Sequence, residues 1–406
     1  MSKLAWRENL RDTSSSFDLF HTVYQQLFTW CEKHDFAGHD PFDALNSRVF
    51  NSTPLARSRT ARLVFTQMLR RSPADPRRLA LIPPGRNAKA MALFALASVA
   101  DHRRVQTTET ESKARRMLGE LADSQLTGYS GPAWGYNFDW QGRSFFARKD
   151  TPTVVPTAFA ARAFFEASVA LNSAEYLTIA RHVCDFIIHD LRRTVDNENE
   201  ICFSYTTHSN DQIYNSTLLA GEILASVGMR TGETELCDLA QRAARFVINH
   251  QLENGAWRYG AAENQQWIDN FHTAFVLFSL SRIIRACSLN DEFQRALDRG
   301  YQYWKNTFFL VDGWPKYYDE NPYPADAHAA ASAVVTFLEL RSCDPDGLNT
   351  GQKVASWAIQ NLRDRGGFFY YQRRRFYTVR KPYMRWSQAW MLYALARLLE
   401  MLDDRE

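Results

Sequence analysis

Little in this 406-residue chain points to disulfide, metal or membrane chemistry. The six cysteines, Cys31, Cys184, Cys202, Cys237, Cys287 and Cys343, contain no Cys-x-x-Cys pair and no Cys/His ligand spacing. His182 and Cys184 stand two apart and face different sides of a helix. No metal and no cofactor is therefore expected, and the cysteines read as reduced core residues of a cytoplasmic protein. The N-terminal MSKLAWRENLRDTSSS lacks the apolar core of a secretory signal, and residues 1–15 are expected to form a flexible tail. Met91–Ala100 is too short to cross a bilayer, so no transmembrane segment is expected. A net charge of only +3 argues against nucleic acid or a membrane surface as a general partner.

What the chain does contain is a repeat. Aligned apolar helix starts put Asn87, Thr157, Ser216, Thr273, His328 and Ser387 in one column, 70, 59, 57, 55 and 59 residues apart. Each opens an apolar helix, such as TAFAARAFFEA or TAFVLFSLSRI, that leaves little polar surface and must be buried on nearly every side. Before five of them stands an aromatic stretch read as a short hairpin, around Trp134, Tyr205, Trp257, Trp314 and Phe369. More amphipathic helices alternate with the apolar ones: Glu111–Ala122, Ala174–Leu191, Thr234–His250, Asp291–Phe308 and Gly351–Leu362. The sixth is supplied by Phe17–Lys33 or Pro54–Leu69. Repeats that bury one another belong to one unit. The expectation is a single all-α domain over residues 1–406, an (α/α)6 toroid with short β-hairpins at its mouth. Its helices should start near Asn87, Thr157, Asn215, Asp269, Asp326 and Trp386 inside.

The mouths carry the polar chemistry. In repeat two Trp134, Tyr136, Asp139 and Trp140 combine rings with a carboxylate, the pairing that stacks on sugar faces and accepts from hydroxyls. Repeat three offers His208, with Asn215 read as a helix cap. Repeat four places Trp257, Tyr259 and Trp267 ahead of Asp269, a good N-cap, and His272. Repeat five repeats the theme with Trp314, Tyr317, Asp326 and His328, again an acid and an imidazole at a helix start. Repeat six is basic, and Arg380, Lys381 and Arg385, beside Trp386, are expected to form a positive wall. Arg57, Arg59, Arg62, Arg70 and Arg71 read as a solvated helix face, and Arg373–Arg375 as a solvated hairpin tip. Asp269, His272, Asp326, His328, Asp139 and Tyr317 are the catalytic candidates, and the remaining aromatics, His208 and repeat-six cations are the substrate-binding ones.

The stretches WGYNFDWQGR, GAWRYG with WIDNFHTAF, and YTVRKPYMRWSQAWMLYAL resemble bacterial polysaccharide-biosynthesis proteins of the VpsJ type, over roughly residues 35–400. That resemblance implies a role in exopolysaccharide, capsule or lipopolysaccharide assembly, within the wider six-hairpin group of carbohydrate-active proteins. It carries no catalytic assignment. Gln251–Trp257 also fits the QxxxGxW repeat of terpene cyclases and prenyltransferases, but the chain has no DxDD run and no zinc set. Two classes of function stand. One is an enzyme on a glycan that is acidic or linked to a lipid carrier: a hydrolase using two of Asp139, Asp269 and Asp326, or a lyase or epimerase using His208, His272, His328 or Tyr317 as base with the repeat-six cations. The other is a non-catalytic glycan-binding or scaffolding protein.

Overall fold

The computed structural model describes residues 13–142 and 146–403. The expected tail lies outside them up to residue 12, and from Thr13 the chain is helical. Helix α1 (Thr13–Lys33) is followed by α2 (Arg59–Arg71), α3 (Ala88–Val105), α4 (Thr108–Asp123), α5 (Val154–Ala170), α6 (Ala174–His189) and α7 (Tyr214–Thr231). Then come α8 (Thr234–Asn249), α9 (Asn270–Cys287), α10 (Asp291–Phe308), α11 (Ala327–Glu339), α12 (Gly347–Leu362) and α13 (Trp390–Asp403). Helices α3, α5, α7, α9, α11 and α13 pack each on the next, and α13 returns to α3, closing an inner ring. Around them lie α4, α6, α8, α10 and α12, with α1 against α13 as the sixth outer helix. The fold is the (α/α)6 toroid that the repeat predicts. Of the two candidates for the sixth outer helix the first is correct, and α2 lies instead at the mouth of the ring.

Burial follows the patterning. In α9 every residue from Thr273 to Ser281 is buried, as an all-apolar helix requires. Outer α10 buries Phe293, Ala296, Leu297, Gly300, Tyr301, Trp304 and Phe308, one stripe at helical spacing. Side chains cap three inner helices: Asn87 accepts from the backbone of Lys89 and Ala90, Asp269 from His272, and Asp326 from Ala329. Asn215 is not a cap; Ile213 holds that position and Asn215 sits inside the first turn of α7. The last inner helix starts with one π-helical turn, Met384–Ala389, a distortion that recurs at functional sites.

The aromatic stretches differ from the hairpins expected. Most are single extended segments, each bonded to the start of the preceding inner helix. The first N–H of α5, α7, α9 and α11 donates to the carbonyl of Tyr205, Tyr259, Tyr317 and Tyr371 in turn, at 3.0, 3.3, 2.9 and 3.2 Å. Two-stranded antiparallel pairs form at β1 (Trp140–Gln141) with β2 (Phe146–Ala147) and at β3 (Arg193–Asp196) with β4 (Ile201–Phe203). A three-stranded one joins β5 (Ala325–Asp326), β6 (Gln372–Arg373) and β7 (Thr378–Val379). Gly255, Gly313 and Gly367 turn the chain into three of these segments at φ of +90°, +85° and +92°, a conformation glycine reaches without penalty.

From mid-helix downwards the inner ring is tied by charge. Glu222 of α7 is paired with Arg162 of α5 and with Arg282 of α9 (3.0 Å), and Arg282 reaches Glu339 of α11 at 2.8 Å. Arg103 of α3 bonds Glu166 of α5 at 3.0 Å and Glu400 of α13 at 2.7 Å. All six inner helices therefore contribute to one network. Burial pushes the Glu166 carboxyl up, but Arg103, Arg282 and Arg397 outweigh it and hold it at about 2. Glu339 is likewise held below the ordinary carboxylate value of about 4.3. A depressed carboxyl contributes stability above its unfolded pKa and loses it as pH falls through the folded one. Thermal melting should therefore be flat from pH 7 to about 5 and fall steeply between about pH 4.5 and 2. A melting temperature that holds across that interval would mean the network adds nothing to stability.

Candidate active site

The N-terminal turns of all six inner helices open on one cavity of about 260 Å³. Lys89 of α3, Val155 of α5, Asn215 of α7, His272 of α9, His328 of α11 and Arg385 of the π turn all line it. The backbone bonds between helix starts and aromatic segments set the rest of the wall, since they hold Tyr205, Tyr259 and Tyr317 at the same level. Tyr136, Trp140, Trp267, Asp269 and Trp386 complete the expected residues that the fold brings together here.

Asp269 organises one side. Its Oδ1 accepts the His272 backbone N–H at 2.9 Å, while Oδ2 accepts from Trp267 Nε1 at 2.9 Å and lies 2.7 Å from His272 Nδ1. A carboxylate only accepts, so Nδ1 carries the proton and Nε2 is left as the acceptor nitrogen. Trp267 stacks on Tyr259 with centroids 4.4 Å apart, and Tyr259 lies 4.6 Å from the His272 ring. His328 is the second imidazole. It is 1% exposed, neither ring nitrogen has a partner among the described residues, and it packs on Phe271 and Trp386, both at 4.4 Å. His272 also touches Phe271, at 4.0 Å, so the two imidazoles share a phenyl neighbour. Burial first, and then Lys89, Arg385 and His272, drive the His328 pKa well below the ordinary value, so this ring is neutral.

Other expected residues lie outside the lining. Trp134 and Trp257 are buried wedges whose indole N–H groups donate to Leu121 and Val247 at the ends of α4 and α8, both at 2.9 Å. Trp314 donates to the Pro322 carbonyl and packs on Trp357. Asp139 accepts from the Lys149 backbone, and His208 is exposed in a turn whose backbone bonds Thr206. Asp326 is fully buried behind the wall. Burial raises its pKa to about 6, against the Ala329 N–H and the Trp386 indole that bond its two oxygens. In the expected positive wall, Arg380 is exposed over Tyr370, and Lys381 donates to the Leu69 carbonyl at 2.6 Å. Only Arg385 of that trio lines the cavity, and it is clamped by Asp40 through two bonds of 2.7 and 2.8 Å.

Sequence reasoning missed the other cations. Arg70 of α2 turns into the cavity and bonds Tyr371, and Arg71, exposed as expected of a solvated face, stands at its rim, because α2 covers the mouth. Arg374 lines it too, although its neighbours in 373–375 read as a hairpin tip. Lys89 was legible in principle: it is the one charge in the apolar run Ala88–Ala100, two places past the aligned helix start.

No protein-family model matches the chain, and no curated protein is similar to it in sequence. Solved structures are similar in fold. Cellobiose 2-epimerase from Bacillus thermoamylovorans B4167 superposes with a TM-score of 0.63 at 15% identity, covering 79% of this chain and 88% of its own. A D-mannose isomerase gives 0.59 at 12%, covering 78% and 87%. An unsaturated glucuronyl hydrolase specific for heparin gives 0.57 at 13%, covering 77% and 86%. At these identities the likeness is one of fold.

The Asp40–Arg385 pair gives this site its own prediction. Arg385→Ala should destabilise the protein by about 3–5 kcal/mol, because it strands a buried carboxylate. Urea unfolding measures it, and a loss below about 1 kcal/mol would mean that Arg385 is held for a ligand and not for Asp40.

Proposed function

We propose that this protein is a carbohydrate-active enzyme that moves a proton at a sugar carbon beside a carbonyl or carboxyl group, an epimerase- or isomerase-type reaction carried by His272 and His328. The carrying observation is the make-up of the cavity wall: two imidazoles against a single carboxylate, Asp269, whose oxygens are already bonded. Hydrolysis of a glycoside needs a free acid and a free carboxylate across the bound sugar. Asp139 and Asp326 are not among the lining residues, so that route lacks its second group. Proton transfer needs a base near neutrality and a second group on the other side of the reacting carbon, roles that suit imidazole. His272, oriented through Nδ1 by Asp269, is the base in this reading, with His328 as its counterpart. The stack of Trp267 and Tyr259 serves as the sugar platform. Likeness of fold to a cellobiose 2-epimerase and a D-mannose isomerase supports this chemistry, and the VpsJ-type resemblance supports a setting in surface-polysaccharide assembly.

Four guanidinium groups, those of Arg70, Arg71, Arg374 and Arg385, and the amino group of Lys89 line the cavity with that one carboxylate, so the substrate in this reading is an acidic glycan. Positive charge there also stabilises the enolate formed when the proton leaves. Incubation in D2O with a panel of aldoses, uronic acids and short acidic oligosaccharides tests the reaction by NMR. The expected result is deuterium at one ring-adjacent carbon, lost about 10²–10⁴-fold in His272→Ala and His328→Ala variants of unchanged melting temperature. Asp269→Asn, which preserves the helix cap but not the Nδ1–H tautomer, should fall in the same range. Exchange that persists in both histidine variants refutes the assignment. Glycan binding without exchange of any sugar would favour the non-catalytic binding role.

A further inference from the structure

Lys89 and His328, deep in the cavity wall, have no hydrogen-bond partner among the described residues. Lys89 is 2% exposed, and its Nζ lies 4.6, 4.9 and 5.3 Å from the rings of Phe159, Phe275 and Trp390. No oxygen among the described residues accepts a hydrogen bond from it. His328 contacts the same Phe275 and Trp390 rings, at 5.8 and 4.8 Å, and both its nitrogens are also unpartnered. Buried polar groups are nearly always bonded in a native protein, so two without a partner against the same pair of rings suit an acceptor that a ligand brings.

The surrounding charges say what kind. Arg385 of the π turn and Arg162 of α5 bear on Lys89, and Lys89, Arg385 and His272 bear on His328. The nearest acids are already matched: Asp40 is clamped by Arg385, Glu222 by Arg162 and Arg282, and Asp269 by His272 and Trp267. Asp326 bonds the Trp386 indole and the Ala329 backbone. Of the cations that line the cavity, Lys89, Arg70, Arg71 and Arg374 have no carboxylate partner among the described residues. Three ring faces compensate only in part for the water that a buried ammonium gives up. Before an anion binds, burial and the two guanidinium groups therefore favour the free amine at Lys89. The positive field that drives a proton off a lysine is one that draws in an anion.

We propose that Lys89 forms, beside His328, a floor subsite for the carboxylate of a sugar acid. This rests on the reading that a sugar enters the cavity, and it deepens it by locating the acidic group. The Lys89 ammonium has three donors and can serve both oxygens of a carboxylate, which leaves neither oxygen against the faces of Phe275 and Trp390. A phosphate dianion would leave further oxygens facing those rings. On binding, the neutral amine takes one proton from solvent and the ammonium pairs with the carboxylate; no bond to carbon is made or broken. In this arrangement the ion pair withdraws charge from the carbon beside the carboxyl group and makes its proton easier for His272 to remove.

Calorimetric titration at pH 8 tests this with D-glucuronate and D-galacturonate, beside D-glucose and D-galactose, in phosphate and in Tris buffer. The expected result is that the uronates bind at least ten-fold tighter than the neutral sugars. Their apparent enthalpies should differ between buffers by the uptake of up to one proton, and the neutral sugars' should not. Lys89→Met, which keeps length and fills the same ring cage, should lose both the preference and the proton uptake. Equal affinity for uronates and neutral sugars, uptake that persists in Lys89→Met, or binding of glucose 1-phosphate in place of the uronates would each overturn the subsite. The comparison of buffers needs only the natural chain, so it decides even if the variant fails to fold. Deuterium exchange on a neutral sugar with no uronate binding would overturn this subsite alone and leave the proton-transfer reading intact.

Discussion

One backbone hydrogen bond, repeated four times around the ring, fixes the geometry on which the rest depends. The first free N–H of an inner helix cannot bond within the helix and must find a partner elsewhere. Here it finds the carbonyl of a tyrosine in the next repeat, from Tyr205 through Tyr371. That bond satisfies an orphan donor and locks each repeat to its successor. It also sets a tyrosine beside the mouth of every helix it serves. Because parallel inner helices present their N-terminal turns together, one local solution repeated becomes a walled cavity.

The two ends of the barrel then solve different electrostatic problems. Toward the C-terminal halves, Arg103, Arg162, Arg282 and Arg397 are balanced by Glu166, Glu222, Glu339 and Glu400, so buried charge is matched. At the N-terminal end the count is uneven. Cations converge with one carboxylate, and that carboxylate is committed to orienting His272. A protein that matches its buried charges so fully on one side has the means to match them on the other. Lys89 and His328, which have no partner among the described residues, cost stability there, a cost that the proposed carboxylate subsite would offset.

Rigidity links these observations to the proposed chemistry. His272 is held through Nδ1, through its own backbone N–H and against Tyr259 and Phe271, so its free nitrogen has little room to wander. Proton transfer gains most when base and carbon are held at contact distance. A helix start is a good mount for such a base, because the cap that begins the helix is the carboxylate that orients the ring.

How much of this could be read without coordinates follows from the range of the forces involved. Helical periodicity, caps and the recurring aromatic stretches are local, so residue order alone determined the six repeats, the inner and outer helices and the meeting of Asp269 with His272 at a helix start. Asp269 serves both backbone and ring because cap and histidine are three residues apart, and that spacing is visible in the sequence. Which rings face the ligand and which wedge the fold is not local. Trp134 and Trp267 look alike in sequence, yet one bonds the end of an outer helix and the other bonds Asp269 at the cavity. Likewise Arg70 and Arg385 acquired their surroundings from segments about 300 residues away, Tyr371 for the first and Asp40 for the second. The sequence by itself determined the toroid and where its mouths open; only ring closure, which brings distant residues together, decided which charges meet there and which stay unpaired.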